Sequence, residues 1–194
     1  MSNNETPLVR HVEGIRKLVS AITSWASDRN LIKGGTVGAQ FLKLVEEVGE
    51  FSLEVDQLDH SSILNELGDV FVVQIIMHAQ LGKDYTEGLL CVANDYQGPD
   101  YNPLYPYPDE SDYVILLGRV AAGIAKRNVD AFLHGSHSLS NVVLADAMDA
   151  IDAEFYPNLQ TGEGFVETAL HLAYTKIKDR KGRMENGVFI KEND

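Results

Sequence analysis

Apolar positions in this chain recur at intervals of three and four residues and rarely alternate, so the pattern predicts helices and almost no strand. Helices are expected near 8–28, 37–58, 62–82 and 84–96, then, after an interruption, near 112–127, 138–154 and 163–181. In the second helix, Phe41, Leu44, Val48 and Val55 form one apolar face, and Glu47, Glu50 and Glu54 an acidic stripe expected on the side away from it. The third helix is different. From Val70 to Met77 it is apolar almost all round, the pattern of a helix buried on every side. The interruption carries Pro99, Pro103, Pro106 and Pro108 among Tyr101, Tyr105 and Tyr107, a composition that ends helices and favours extended or turn backbone. The chain therefore divides into a helical half at 1–97, a linker at 98–111 and a second helical half at 112–194. An aromatic lid or a subunit contact is the alternative use of the linker. The expected class is an all-α helical bundle.

The second half reads as a decayed copy of the first. Leu116 to Lys126 lies over Phe41 to Phe51 at a constant offset, with alanines where Glu46, Glu47 and Glu50 stand. Asp146 and Asp149 then echo Glu66 and Asp69, and Thr161 to Phe165 parallels Leu81 to Tyr85 before another helix. On this reading one chain mimics a dimer. Coincidence between two apolar helices is the competing explanation.

The chemistry concentrates in two acidic groups, Glu46-Glu47-Val48-Gly49-Glu50 and, after fifteen residues, Glu66-Leu67-Gly68-Asp69. Taken alone, the first could be a solvated helix face. Glu66 and Asp69, however, sit on the largely buried helix, where an uncompensated carboxylate is costly unless a cation or proton attends it. Pairs at i,i+3 on two antiparallel helices would gather four carboxylates around one point. Oxygen donors without thiolate suit a hard ion such as magnesium or manganese.

The pattern Glu-Glu-x-x-Glu, a gap, then Glu-x-x-Asp resembles the signature of the MazG-like all-α nucleoside triphosphate pyrophosphohydrolases. Upstream, Trp25 to Ile32 leading to Gln40 through Leu44 is similar to the family's first helix and connection. Downstream, Tyr174 to Met184 and Asn186 to Phe189 resemble the tail of viral and bacterial members. The resemblance implies a MazG-like bundle in which Glu47, Glu50, Glu66 and Asp69 bind Mg2+ or Mn2+. Glu46 would be a further catalytic acid, touching a second ion or helping to orient or deprotonate water. Lys43, Lys176, Arg180 and Lys181 would contact phosphate; a cationic helix C-terminus favoured by the macrodipole is the plainer explanation for the last three. Trp25, Asn30 and Gln40 are candidate base contacts, although aromatic and amide groups serve equally as packing and caps. The implied reaction is hydrolysis between the α- and β-phosphates of a (deoxy)nucleoside triphosphate, giving a monophosphate and pyrophosphate. A purine substrate such as dGTP or GTP is the first expectation, and removal of noncanonical nucleotides is equally natural chemistry.

Charge and composition narrow the alternatives. With 16 Lys plus Arg against 29 Asp plus Glu, the 194-residue chain has a formal net charge of -13, which argues against nonspecific nucleic-acid binding. One cysteine, Cys91, excludes an intrachain disulfide framework and is expected as a small buried hydrophobe in a reducing cytoplasm. The N-terminus carries no secretory pattern and the apolar runs are too short to cross a bilayer, so a cytoplasmic protein without membrane contact is expected. The abundance of apolar helix faces suggests a homo-oligomer, a dimer or tetramer. Part of a Nudix box is present at Glu46 to Gly49, but Leu42 and Lys43 stand where that motif needs Arg and Glu, and its strands are missing. A di-iron bundle would need Glu three positions before His78, and an HD hydrolase a His-Asp doublet; neither occurs. His134 and His137 read as an incidental pair on a loop. A noncatalytic helical module that binds a nucleotide or a protein is the remaining alternative.

Overall fold

Helices dominate the computed structural model, which describes residues 7–95, 110–151, 159, 161–185 and 188–191. They are α1 (Pro7–Asp28), α2 (Leu31–Gly34), α3 (Val37–Gln57), α4 (His60–Gln80), α5 (Thr86–Asp95), α6 (Glu110–Ala125), α7 (Val129–Ala150) and α8 (Gly162–Ile177). The all-α class expected from the periodicity is the class observed. A short antiparallel hairpin follows α8, with β1 (Gly182–Glu185) paired to β2 (Val188–Lys191). Helical periodicity gave no sign of this hairpin or of the four-residue α2. The linker at 98–109 lies outside the described residues, while its last two positions open α6.

Side-chain caps start the helices where the sequence supplies them. Thr36 accepts from Ala39 N, Asp59 from Ser61 N and Ser62 N, Asn128 from Ala131 N, and Thr161 from Gly164 N, each satisfying amide donors that have no partner within the helix. Two of these caps belong to matching turns. Leu58, at φ 56°, precedes Asp59 between α3 and α4, and Arg127, at φ 51°, precedes Asn128 between α6 and α7. A left-handed residue followed by an Asx cap reverses the chain in minimal length, so each pair of helices forms a tight hairpin.

This shared turn corrects the internal register read from the sequence. Aligning the turns puts Leu116 at Glu47, Arg119 at Glu50, Gly135 at Glu66 and Ser138 at Asp69. The alanines at 121, 122 and 125, and the acids Asp146 and Asp149, fall at other levels. Asp146 instead accepts a hydrogen bond from the Tyr113 hydroxyl. The earlier alignment matched composition, whereas turn geometry sets which residues share a level.

The same hairpin corrects the start of α7. It begins at Val129, nine residues before the expected position, so His134 to His137 are helical. Glycine, serine and histidine there suggest a loop, but Asn128 caps the helix and Phe132, Leu139 and Val143 bury its apolar stripe. Gly135 lets α7 approach α6 closely, since a Cβ there would lie 3.0 Å from Val120 N. Cys91 is exposed on α5 rather than buried.

α4 packs against α3 and α8, with α1, α2 and α7 around it. By length and mean hydropathy it could cross a membrane, which the reading of short apolar runs overlooked; 72% of that window is buried inside the protein. One buried apolar cluster continues from this helix into both halves of the chain, joining Phe51, Leu67 and Phe71 to Phe132, Leu144 and Phe165. Between α4 and α7 the core is polar. Gln74 Nε2 donates to Ser136 O (2.9 Å) and Oγ (3.0 Å), Ser140 Oγ donates to Gln74 Oε1 (2.8 Å), and Tyr85 OH meets Ser140 Oγ at 2.6 Å. Such a satisfied network favours one register of the helix pair over its apolar alternatives.

Gly68 sets how closely α8 approaches. A Cβ at this position would collide with the backbone carbonyl of Ala169 and lie 2.9 Å from Ala173 Cβ. Its place inside Glu66-Leu67-Gly68-Asp69 therefore brings α8 against the acidic motif. Gly68→Ala should lower stability by about 1–3 kcal/mol, the overpacking cost outweighing alanine's helix propensity. Urea unfolding would measure it, and a variant at least as stable as the parent would contradict this close crossing.

Candidate metal and nucleotide site

The acids meet where α3 crosses α4. Leu44, Glu47, Val48 and Phe51 form the buried stripe of α3, so Glu47 lies within the apolar face and not opposite it. It is only 5% exposed. The correction follows from helical geometry: three residues beyond Leu44 is the same side of the helix. Glu66 and Asp69, one turn apart on α4, point to the same place from partly buried positions. One carboxylate oxygen from each of Glu47, Glu66 and Asp69 lies within 4.8 Å of the others.

These residues fit a hard divalent cation. Three oxygen donors converge, and Glu66 Oε2 is buried without a hydrogen-bond partner among the described residues. Burial raises the Glu66 carboxyl, with the charges of Asp69, Glu50 and Glu54 adding to it and Lys176 opposing. Glu47 is pushed up to about 7 by burial, against the pull of Lys43 and with help from Asp69 and Glu50. Glu50 is exposed and is not one of the three converging acids, but its charge helps to raise Glu47 and Glu66.

Two lysines already compensate the acids. Lys43 Nζ lies 2.7 Å from Glu47 and 2.9 Å from Glu46 on its own helix. Lys176, on α8, reaches across to Asp69 at 2.5 Å and to Glu66 at 4.0 Å. Burial tends to lower both lysines, but the hydrogen bonds and charges of their acidic partners outweigh it and raise them. Arg180 makes no ion pair among the described residues.

A cavity of about 560 Å³ opens over this cluster. Its lining carries Glu46, Glu47, Glu50 and Asp69, the cations Lys43, Lys176 and Arg180, and the apolar side chains of Trp25, Leu31, Val72, Val73, Ile76 and Ile177. Gln40 and Thr36 also line it. α2 brings Leu31 to the wall and is tied to α4 by Gln80 Nε2, which donates to Leu31 O at 2.9 Å. The apolar wall escaped the sequence reading because its residues look like ordinary core. Glu66 joins the acid cluster without lining the cavity, while Asn30 and Lys181 are exposed and do not line it. Asn30 instead makes the left-handed turn between α1 and α2, at φ 58°.

A cavity lined by acids, cations and apolar side chains together suits a molecule with a polyphosphate and a flat base. Residues 37–90 match the family model of the MazG nucleotide pyrophosphohydrolase domain. This shows the MazG resemblance of the acidic motif. The MazG segment covers α3, α4 and the start of α5, and so holds Lys43 and all five acids; Trp25, Lys176 and Arg180 lie outside it. An uncharacterized 18.2 kDa protein of the rep-hol intergenic region of Haemophilus phage HP1 (strain HP1c1) is 39% identical over 66 residues, 34% of this chain. The chain spans 40% of that relative's length. No solved structure matches.

The raised Glu47 carboxyl has a signature in stability. Because the folded state holds this proton more tightly than the ordinary value of 4.5 allows, the stability from neutral Glu47 is present below pH 4.5 and lost as pH rises to about 7. Glu47→Gln keeps a neutral group at every pH. In metal-free protein its melting temperature should gain on the parent's across that interval and then run parallel above it. A constant difference through the interval would mean that Glu47 titrates normally.

Proposed function

We propose that the protein hydrolyses nucleoside triphosphates between the α- and β-phosphates in a divalent-metal-dependent reaction, releasing a nucleoside monophosphate and pyrophosphate. The observation that carries this reading is the meeting of Glu47, Glu66 and Asp69 beside a cavity that cations and apolar side chains also line. Magnesium or manganese, held by these three with Glu50 beside them, would neutralise phosphate charge and acidify a bound water. Glu46, exposed at the cavity beside Lys43, would touch a second ion or help to orient or deprotonate the attacking water. The water oxygen joins the α-phosphorus, and the bridging oxygen leaves with pyrophosphate. Lys43, Lys176 and Arg180 hold the phosphates against an acidic surround, and Trp25 offers a face for the base.

In this reading α6 and α7 are a decayed copy of α3 and α4, with residues 1–97 supplying the metal ligands and 112–194 the distant cations. A homo-oligomer is supported by the apolar side chains that α3 and α6 leave in solvent, Leu42 and Val114 at 70% exposure each and Leu53 at 60%. Leu42 also lines the cavity, so a second copy on this face would narrow its mouth.

Pyrophosphate release from a panel of canonical and modified triphosphates with Mg2+ or Mn2+ should be robust, led by a purine such as dGTP, and abolished by a chelator. Glu50→Ala and Asp69→Ala should each reduce it by about 100-fold or more. A folded protein that binds metal and nucleotide yet releases no pyrophosphate would favour the noncatalytic module. Lys176 gives a separate check, because it is paired with the oxygens a metal would use. Lys176→Met should tighten Mg2+ binding to nucleotide-free protein in calorimetry while raising KM; weaker metal binding would contradict that competition.

A further inference from the structure

We infer that Arg29 is a positioning residue for phosphate binding in the cavity, acting through the backbone of Arg180; this rests on the nucleotide reading above. α8 ends at Ile177, so the three residues leading to Arg180 lie beyond the regular helix. Within them, the amide of Lys178 bonds Tyr174 O at 2.8 Å and that of Arg180 bonds Ile177 O at 2.9 Å. Both satisfy carbonyls behind the turn, and neither ties the turn to the rest of the protein. Arg29, the first residue after α1, does so. Its Nε and Nη2 both donate to Arg180 O, at 2.9 and 2.6 Å, and Nη2 also reaches Lys178 O at 3.3 Å.

The guanidinium thereby supplies charged donors at a helix C-terminus, where carbonyls lack partners and the dipole is negative. Its rigid fork also fixes direction, which a lysine's single ammonium could not do equally well. The plane of Arg29 lies over Trp25, its Cζ 4.8 Å from the ring centroid. One side chain outside the cavity lining thus touches both Trp25 of that lining and the backbone of the turn that carries Arg180.

Arg180 is the cation for which such placement matters. Lys43 and Lys176 are held by acidic partners, whereas the Arg180 guanidinium lines the cavity without an ion pair among the described residues. Its side chain can meet an incoming phosphate only from where its backbone is anchored. Arg29 touches neither the acids nor the space above them, so its effect should fall on substrate capture and leave the chemical step largely alone.

A double-mutant cycle in the full chain separates this from general destabilisation. Binding of an α,β-methylene triphosphate with Mg2+ would be measured by calorimetry, beside kcat and KM for the hydrolysable substrate. Arg29→Gln should weaken analogue binding and raise KM by about tenfold, with kcat held within about twofold. Arg180→Gln should cost at least as much, and the double variant no more than Arg180→Gln alone. Arg29→Lys, which keeps the charge but not the fork, should fall between parent and Arg29→Gln, and serves if Arg29→Gln does not fold. Losses that multiply in the double variant, or analogue affinity unchanged in Arg29→Gln, would overturn the inference. If the parent binds the analogue but hydrolyses no triphosphate, the pyrophosphohydrolase reading fails while the cycle still decides the role of Arg29. A parent that binds no nucleotide overturns both.

Discussion

Carboxylates held against an apolar helix crossing are the constraint around which this protein is arranged. Glu47 sits in the buried stripe of α3, and Glu66 and Asp69 on α4, a largely buried apolar helix. Charge in such a place must be compensated by a proton, a cation or a hydrogen bond. The structure supplies part of each: a raised Glu47 carboxyl, lysines on two sides, and an oxygen of Glu66 still unsatisfied among the described residues. That shortfall is what a hard cation would fill, and it gives the acids a reason to be there that a solvated helix face would not.

The compensation comes from distant parts of the chain. Lys43 is local, one turn ahead of Glu47, but Lys176 reaches Asp69 only because α8 lies directly on α4. Gly68 permits that approach by presenting no side chain to the Ala169 carbonyl. Arg29 then carries the same logic past the end of α8. Acid motif, helix crossing and cationic tail are therefore one mechanical unit, although the matching MazG segment contains only the first.

Charge distribution follows the same division. A chain with a formal net charge of -13 repels a polyphosphate at long range. The cavity counters this locally by bringing Lys43, Lys176 and Arg180 into one lining with apolar surface and an indole. Such a lining suits a molecule that is charged in one part and flat and apolar in another.

Several features were legible in the chain itself. Apart from α2 and the start of α7, the helices follow from their periodicity, the buried nature of α4 from its nearly continuous apolar run, and the acid motif from residue type and spacing, because all of these are local properties of a few turns. Others required the folded chain. That Glu47 is buried while Glu50 is exposed depends on which side of α3 meets α4. The register between the two hairpins depends on left-handed turns at Leu58 and Arg127, which residue identity at those positions does not announce. That Asn30 and Lys181 stay outside the cavity, and that Arg29 grips a carbonyl 151 residues away, are facts of packing. Periodicity and spacing report which residues one helix places side by side, whereas a site assembled from five helices is decided by how those helices cross.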